Sequence, residues 1–202
     1  MNSMDALGHL RNTAPAFFTT GDAAGMLRQS LSATTKQLSG LASARLIRQM
    51  RAGHWALDPD TTIFKYAGWV VTPMPSYVSV YSALYHHGMI ERVRGTVYVA
   101  SLAKTRTLKT SLGSFSVHQI APPLFNGYTE RGGVRMATPE KALFDTLYLG
   151  RARSGKFADT TGIKLPSGFD CGKLRAYAGK IEDQGARKRV SASIESFLGE
   201  WG

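Results

Sequence analysis

Two short helical patterns followed by a glycine-centred pair of β-type runs, between Phe17 and Leu57, constrain this chain most. The first pattern predicts a helix with Thr20 as its N-cap that ends near Gln29. The second predicts a helix capped by Ser32, because residues suited to a core recur after it at spacings of three and four. The predicted inward stripe of this second helix is Thr34, Thr35, Leu38, Leu41 and Ala42.

The segment 46–57 contains β-compatible runs on either side of Gly53, which predicts a small hairpin. Trp55 is expected to be a core anchor of that hairpin, with stacking on a nucleic-acid base as the alternative. Helix, turn, helix and hairpin in this order are typical of a winged helix-turn-helix, in which the second helix enters the major groove. The sequence therefore predicts such a domain at the N-terminus.

Charge in this segment is one-sided. The chain has a formal net charge of +11, and no acidic residue occurs between Asp22 and Asp58. Phosphate contact requires such a surface, so the pattern favours binding to double-stranded DNA. The residues predicted to bind DNA are Arg28, Ser32, Lys36, Gln37, Ser43, Arg45, Arg48, Arg51 and His54.

These candidates are expected to have different roles. Lys36 and Gln37 are predicted to read base edges, since glutamine can bind adenine through both amide atoms and lysine can reach guanine or a phosphate. Arg48, Arg51 and His54 are predicted to hold the sugar-phosphate backbone from the hairpin. The alternative is a small stable domain whose arginines lie on a solvated face.

The rest of the chain predicts a mixed α/β domain, so the expected fold class is α+β. We place the boundary near Asp60, which gives a DNA-binding domain over 1–60 and an effector domain over 61–202. A small antiparallel sheet packed with helices is expected in the second domain. The predicted helices cover 77–87, the segment beginning at Thr138-Pro139-Glu140, 172–180 and 186–198, and the predicted strands cover 97–102, 106–110, 115–120 and 134–137.

A second stretch without acidic residues runs between Glu91 and Glu130. It would either extend the DNA footprint or meet an acidic or RNA-bound partner. The alternative is that its cations lie on the wet faces of strands and protect sheet edges. The candidate second basic surface consists of Arg92, Arg94, Lys104, Arg106 and Lys109.

Residues for catalysis or for a metal are not expected. The sequence has no Walker loop, no His-Glu-x-x-His and no nucleophile elbow, so we predict no enzyme, no catalytic residue and no cofactor. His86 and His87 would diverge by about 100° on a helix and share no metal readily. Glu140 is explained by the dipole of its helix, and Asp145 as a buried hydrogen-bond acceptor, with an arginine as one candidate partner.

The expected cellular location of the protein rests on two patterns that the sequence lacks. No apolar run is long enough to span a bilayer, and the N-terminus lacks the pattern of a signal peptide. The expectation is a cytoplasmic protein without a membrane partner. Cys171 is the only cysteine, which excludes an intrachain disulfide, and it is expected to be a buried thiol.

Three motifs carry a resemblance to a known family: LIRQMRAGHW at 46–55, YVSVYSALYHHGMIE at 77–91 and ATPEKALFD at 137–145. Because these motifs occur in this order, the chain resembles the AbiEi antitoxins. That family belongs to abortive-infection, type IV toxin–antitoxin systems, which act in phage defence. Trp55 and Ala52 stand where the usual wing of that family has tyrosine and an additional basic residue.

The resemblance implies an autorepressor that binds inverted repeats in its own promoter. It also implies a C-terminal domain that counters a nucleotidyltransferase-like toxin, directly or indirectly. Two alternatives to this antitoxin remain: a winged-helix regulator whose second domain senses a small molecule, and an enzyme acting on nucleic acid.

Overall fold

The computed structural model of the protein describes residues 2–93, 95–150, 157 and 160–200. The chain divides into two compact units. The first unit is Met1–Tyr66 together with Lys109–Gly113, and the second is Ala67–Leu108 together with Ser114–Gly202. Both helices and β-sheets are present, which confirms the predicted mixture of α and β structure.

The first unit combines helices with short strands. Its strands form an antiparallel sheet in the order β1-β3-β2, in which Trp55 lies opposite both Phe18 and Gln49. The elements are α1 (Ser3–Thr13), β1 (Phe17–Thr19), α2 (Thr20–Leu27), α3 (Leu31–Ser43), β2 (Arg48–Arg51), β3 (His54–Ala56) and α4 (Ile63–Ala67), the last residue of which belongs to the second unit.

The core of the first unit is formed by the apolar faces of α1, α2 and α3 packed around Trp55, which is only 1% exposed. The prediction of Trp55 as a core aromatic is therefore confirmed. Burial of each large apolar side chain stabilises the fold by about 1.5–3 kcal/mol, so this cluster defines the unit. Its main members are Leu7, Leu10, Phe18, Leu27, Leu38, Leu41 and Ile47.

The caps of α2 and α3 differ from the predicted ones. Thr19 caps α2, since its hydroxyl accepts from the backbone N–H of Asp22 and the Asp22 carboxylate accepts from the Thr19 N–H at 2.8 Å. Ser30 caps α3 by accepting from the Ala33 N–H at 3.3 Å. Ser32 was predicted for this role, but it already lies in the first helical turn, whereas a cap must have extended backbone.

The second unit is built on a sheet with the strand order β6-β7-β5-β4-β9-β8. Residues 109–113, around the turn between β6 and β7, are those that belong to the first unit. The elements are β4 (Ser76–Val78), α5 (Val80–His86), β5 (Thr96–Ser101), β6 (Arg106–Thr110), β7 (Gly113–Gln119), a 3-10 turn (Pro122–Leu124), β8 (Tyr128–Arg131), β9 (Val134–Ala137), α6 (Pro139–Gly150), α7 (Cys171–Ala178) and α8 (Gln184–Gly199).

This sheet is mixed, so the prediction of a small antiparallel sheet is wrong. β4 pairs antiparallel with β5 but parallel with β9, and β5 pairs parallel with β7. The error has a physical reason, because parallel neighbours are joined by long connections that leave no hairpin signal in the sequence. β4 itself was predicted as the first turn of a helix.

Two further features concern the helices. The first residue of α7, Cys171, is half-buried, so the expectation of a buried thiol was wrong. Within the described part of the chain, no helix is both long and apolar enough to cross a bilayer.

Candidate nucleic-acid interface

The helix α3 has one buried face and one polar exposed face. Thr34, Leu38 and Leu41 are buried, as predicted, and Ala42 is half-buried. Thr35 was predicted to face inward, but it is exposed, because at about 100° per residue it lies on the side of Ser32 and Ser39. The exposed face contains Ser32, Thr35, Lys36, Ser39 and Ser43.

Two of the hydroxyl groups on this face are already donors within the helix. Thr35 Oγ1 donates to the Leu31 carbonyl at 2.7 Å, and Ser43 Oγ donates to the Ser39 carbonyl at 3.0 Å. Their oxygen atoms remain able to accept a hydrogen bond from a base amino group. Lys36 supplies the positive charge of this face. Thr35 and Ser39 are additional candidates that the helical period alone would have revealed.

Gln37 is placed differently from Lys36. Its side chain is half-buried, and its amide oxygen is shielded from solvent. Reading adenine through both amide atoms requires that the oxygen and the nitrogen are exposed together. In this conformation Gln37 therefore does not present the pair of atoms that its predicted role needs.

The hairpin β2–β3 carries Arg48, Arg51 and His54, all of which are half-buried. Burial raises the pKa of the Tyr66 hydroxyl, and the neighbouring Arg51 guanidinium partly opposes this. Burial also lowers the pKa of His54, as does the charge of Arg51, while Asp22 acts in the opposite direction. His54 is therefore mainly neutral at pH 7 and would offer a hydrogen bond rather than a charge.

A groove of about 610 Å³ lies where α3 leads into β2. Arg45, Arg48 and Gln49 line it, together with the carboxylate residue Asp60. Two guanidinium groups beside one carboxylate leave a positive balance that suits a phosphate oxygen. Arg45 and Arg48, both candidates for DNA binding, thus line the same groove.

The turn between α2 and α3 exposes Arg28, which has left-handed backbone with φ of 52°. The start of α2 is also joined to the hairpin. Trp55 Nε1 donates to Thr20 Oγ1 at 2.9 Å, and the Thr20 N–H donates to the Gly53 carbonyl at 2.9 Å. Helix α2 and the hairpin are therefore held in a fixed arrangement within the first unit.

The candidates for a second basic surface do not all belong to one unit. Lys109 belongs to the first unit, where the N–H of nearby Ser111 donates to the Met50 carbonyl at 2.9 Å. Lys104 and Arg106 are exposed beside and on β6, an edge strand of the sheet, and Arg92 is exposed after α5. Arg94 lies outside the described residues.

Asp145 lies at the centre of a buried polar network in the second unit. Tyr77 and Ser79 donate to its Oδ2 at 2.9 and 2.7 Å, and Lys141 Nζ lies 2.5 Å from its Oδ1. The Lys141 and Asp145 side chains are both 0% exposed. The expectation of a buried acceptor is confirmed, with a lysine as its charged partner.

The surroundings of this network are aromatic. Lys141 Nζ lies 4.9 Å from the ring centroid of Phe144 and 5.3 Å from that of Tyr177. Burial lowers the pKa of Lys141 although Asp145 opposes this, and burial strongly raises the pKa of Tyr77. Since these groups satisfy one another away from solvent, they join α6 to β4. The sequence did not point to Tyr77 or Ser79, because their bonds to Asp145 join distant parts of the chain. Lys141 lies only four residues before Asp145 on α6, so the helical period alone would have revealed that pair.

Within the described residues, no group of three or more His, Cys, Asp and Glu side chains is arranged to hold a metal ion. No protein-family model matches the chain, and a search of curated proteins finds no significant relative. The first unit contains the candidate functional site, since an exposed polar helix face and several arginines occur there in one acid-free segment.

Proposed function

We propose that the first unit is a winged helix-turn-helix that binds double-stranded DNA, and that the protein is a transcriptional regulator. One observation carries this proposal. Helix α3 buries Thr34, Leu38 and Leu41 and exposes Lys36 among hydroxyl side chains, within a segment that has no acidic residue from 23 to 57. A recognition helix needs this division between a packing face and a polar face.

In this proposal α3 lies in the major groove, and Lys36 reaches guanine or a nearby phosphate. Ser32, Thr35 and Ser39 accept from base amino groups or contact the backbone. The cations around the helix bind phosphates, and each contact releases counterions from the DNA. These cations are Arg28 after α2 and Arg45 and Arg48 in the groove.

Arg51 and His54 have a different role from the phosphate-binding arginines. Both are half-buried, and Arg51 lies beside the Tyr66 hydroxyl. They therefore shape the hairpin and supply at most a partial contact to the sugar-phosphate backbone. Gln37 would have to turn outward before it could read a base.

The resemblance to AbiEi antitoxins extends the proposal. The DNA would be the promoter of the protein's own operon, with inverted repeats as the operator. The second unit would counter a nucleotidyltransferase-like toxin encoded beside the gene. The protein would then act in the cytoplasm as both repressor and antitoxin.

A band-shift assay tests the DNA-binding part. The duplex upstream of the gene is compared with a scrambled duplex of equal composition, using the wild type and Lys36→Gln. We expect a preference for the upstream duplex that Lys36→Gln reduces by about 1–3 kcal/mol. The matched control is Lys188→Gln, which removes an exposed lysine of the second unit and is expected to bind like the wild type.

Two results would contradict this part of the proposal. One is the absence of any shift at low salt. The other is a Lys36→Gln variant that discriminates between the two duplexes as well as the wild type does.

Co-expression tests the antitoxin part separately. A neighbouring nucleotidyltransferase-like gene is expected to arrest growth, and the full chain is expected to restore it. The Lys36→Gln variant is expected to restore growth as well, because the second unit is unchanged. A neighbour that arrests growth in spite of the full chain would overturn the antitoxin function and leave DNA binding untouched.

A further inference from the structure

The second unit contains a cavity of about 640 Å³ that neither DNA binding nor toxin control explains. Its walls come from Tyr81 of α5, Tyr98 of β5 and the segments 90–93 and 161–164. Sites for small molecules usually measure about 300–1,000 Å³ and combine apolar walls with a few polar groups. The size and lining of this cavity therefore suit a small molecule.

One wall of the cavity is aromatic and well supported. The rings of Tyr81 and Tyr98 lie 5.6 Å apart and almost perpendicular, at 86°. Phe157 packs against both, with centroid distances of 5.2 and 5.8 Å. Rings fixed in this way offer a preformed surface to a planar ligand, because little side-chain freedom is lost on binding.

Charged side chains form another part of the cavity lining. Arg92 is exposed, and among the described residues no carboxylate pairs with it. Lys164 lies 3.4 Å from Glu91, in a pair whose side chains are 65% and 82% exposed. Such an exposed pair is weak, so Lys164 can turn to another anion. The lining thus has two cations and one carboxylate.

The segment that carries Lys164 is anchored to the unit. The backbone N–H of Lys164 donates to the Met89 carbonyl at 2.7 Å, and the neighbouring Ile163 is buried and also lines the cavity. The cation is therefore held beside the cavity by backbone structure, and not by its contact with Glu91.

We propose that this cavity binds a small molecule composed of a planar ring and one anionic group. The ring packs against Tyr81 and Tyr98, and the anion pairs with Arg92, with Lys164 as the second cation. Mononucleotides and aryl carboxylates share this chemistry. The site lies wholly in the second unit, and the proposal does not depend on DNA binding.

Calorimetry on the full chain tests the proposal with adenosine monophosphate, benzoate and inorganic phosphate as probes. We expect one of the two ring-containing probes to bind and inorganic phosphate to bind at least about tenfold more weakly. Saturation by the nucleotide alone would identify a mononucleotide site, and saturation by benzoate alone an aryl carboxylate site. Failure of both, or equal binding of phosphate, overturns the proposal.

Two variants connect the binding to the cavity. Arg92→Gln is expected to weaken the bound probe about tenfold or more, because a charge-assisted hydrogen bond is lost. Tyr81→Leu is expected to weaken the ring-containing probe as well. Arg106→Gln removes another exposed arginine of the same unit and is expected to bind like the wild type.

Because Arg92 is exposed, Arg92→Gln should fold normally, which thermal unfolding checks. Unchanged affinity in a folded Arg92→Gln variant would overturn the assignment. Neither result depends on a band shift, so failure here is distinguishable from failure of the DNA-binding proposal.

Discussion

The indole N–H of Trp55 donates to the hydroxyl of Thr20 across 2.9 Å. Trp55 is in the middle of β3, and Thr20 is the first residue of α2. The bond thus crosses from the core of the hairpin to the start of a helix. A buried N–H that loses its acceptor destabilises a fold more than the bond itself stabilises it, so this pair fixes both elements.

The first prediction concerns this pair. Thr20→Val keeps the shape of the side chain and leaves the Trp55 N–H without its acceptor. The free energy of unfolding, measured with urea, is expected to fall by about 1–3 kcal/mol. The matched control, Thr35→Val on the exposed face of α3, is expected to change it by less than about 0.5 kcal/mol. Equal effects of the two substitutions would contradict the role of the pair.

A second prediction concerns the buried network of the second unit. Asp145→Asn preserves volume but leaves the Lys141 ammonium without its counter-charge in a site that is 0% exposed. Removal of one partner of such a pair is expected to lower the free energy of unfolding by about 3–5 kcal/mol. Glu195→Gln, which breaks the exposed pair with Arg175, is expected to leave it almost unchanged, because solvent screens that pair. Circular dichroism during urea unfolding measures both, and a smaller loss for Asp145→Asn than for Glu195→Gln would refute the assignment.

A third prediction concerns Gly127, which has φ of +76° and packs against the same network. A Cβ at this position would lie 3.0 Å from Lys141 Cγ and closer still to the Tyr177 hydroxyl. Gly132→Ala supplies the control, because Gly132 also has positive φ, of 57°, but faces open space. Both variants introduce backbone strain, and Gly127→Ala is expected to lose about 1–3 kcal/mol more from overpacking. Equal thermal destabilisation of the two variants would show that the predicted clash does not matter.

The fourth prediction uses the lowered pKa of His54, which burial and then the charge of Arg51 produce. Below the unfolded value of about 6.5, the unfolded chain takes up a proton that the folded chain resists. Stability is therefore lost as the pH falls below about 6.5 toward the folded-state pKa, and it is unaffected by this group above that range. Urea unfolding at about pH 7.5 and about pH 5.5 is expected to show a larger loss for the wild type than for His54→Gln. The same loss in both proteins would exclude this coupling.

The predicted and observed bounds agree well for those elements that neighbouring residues in the sequence are enough to specify. Strands β6 and β9 have the predicted bounds, and α6 begins at Pro139 with Glu140 in its first turn, as the Thr-Pro-Glu motif indicated. These signals lie within a few residues and do not depend on tertiary contacts. The prediction failed at β4, because Tyr77 and Val78 pair with β5 and β9, which the chain reaches only later. Local periodicity contains no information on such a pairing.

The residues of the candidate interface also fall into two groups: those whose exposure the local sequence pattern predicts, and those whose surroundings depend on tertiary packing. The exposure of Ser32, Lys36 and Ser43 follows from the period of α3, and Thr35 and Ser39 would follow from it too. The surroundings of Arg51 depend on Tyr66 in α4, a short helix that the sequence did not reveal. The shielded amide oxygen of Gln37 likewise results from packing, and no sequence pattern reports it.

The most direct test of the central claim is the salt dependence of DNA binding, measured by fluorescence anisotropy with a labelled upstream duplex. Between about 50 and about 200 mM salt the affinity of the wild type is expected to fall steeply. Arg28→Gln is expected to bind more weakly and to reduce the log–log slope by about 1, because one phosphate contact is lost. Lys188→Gln is expected to keep the slope of the wild type. The absence of binding at the lowest salt, or an affinity that does not change with salt, would contradict the assignment of the first unit as a DNA-binding domain.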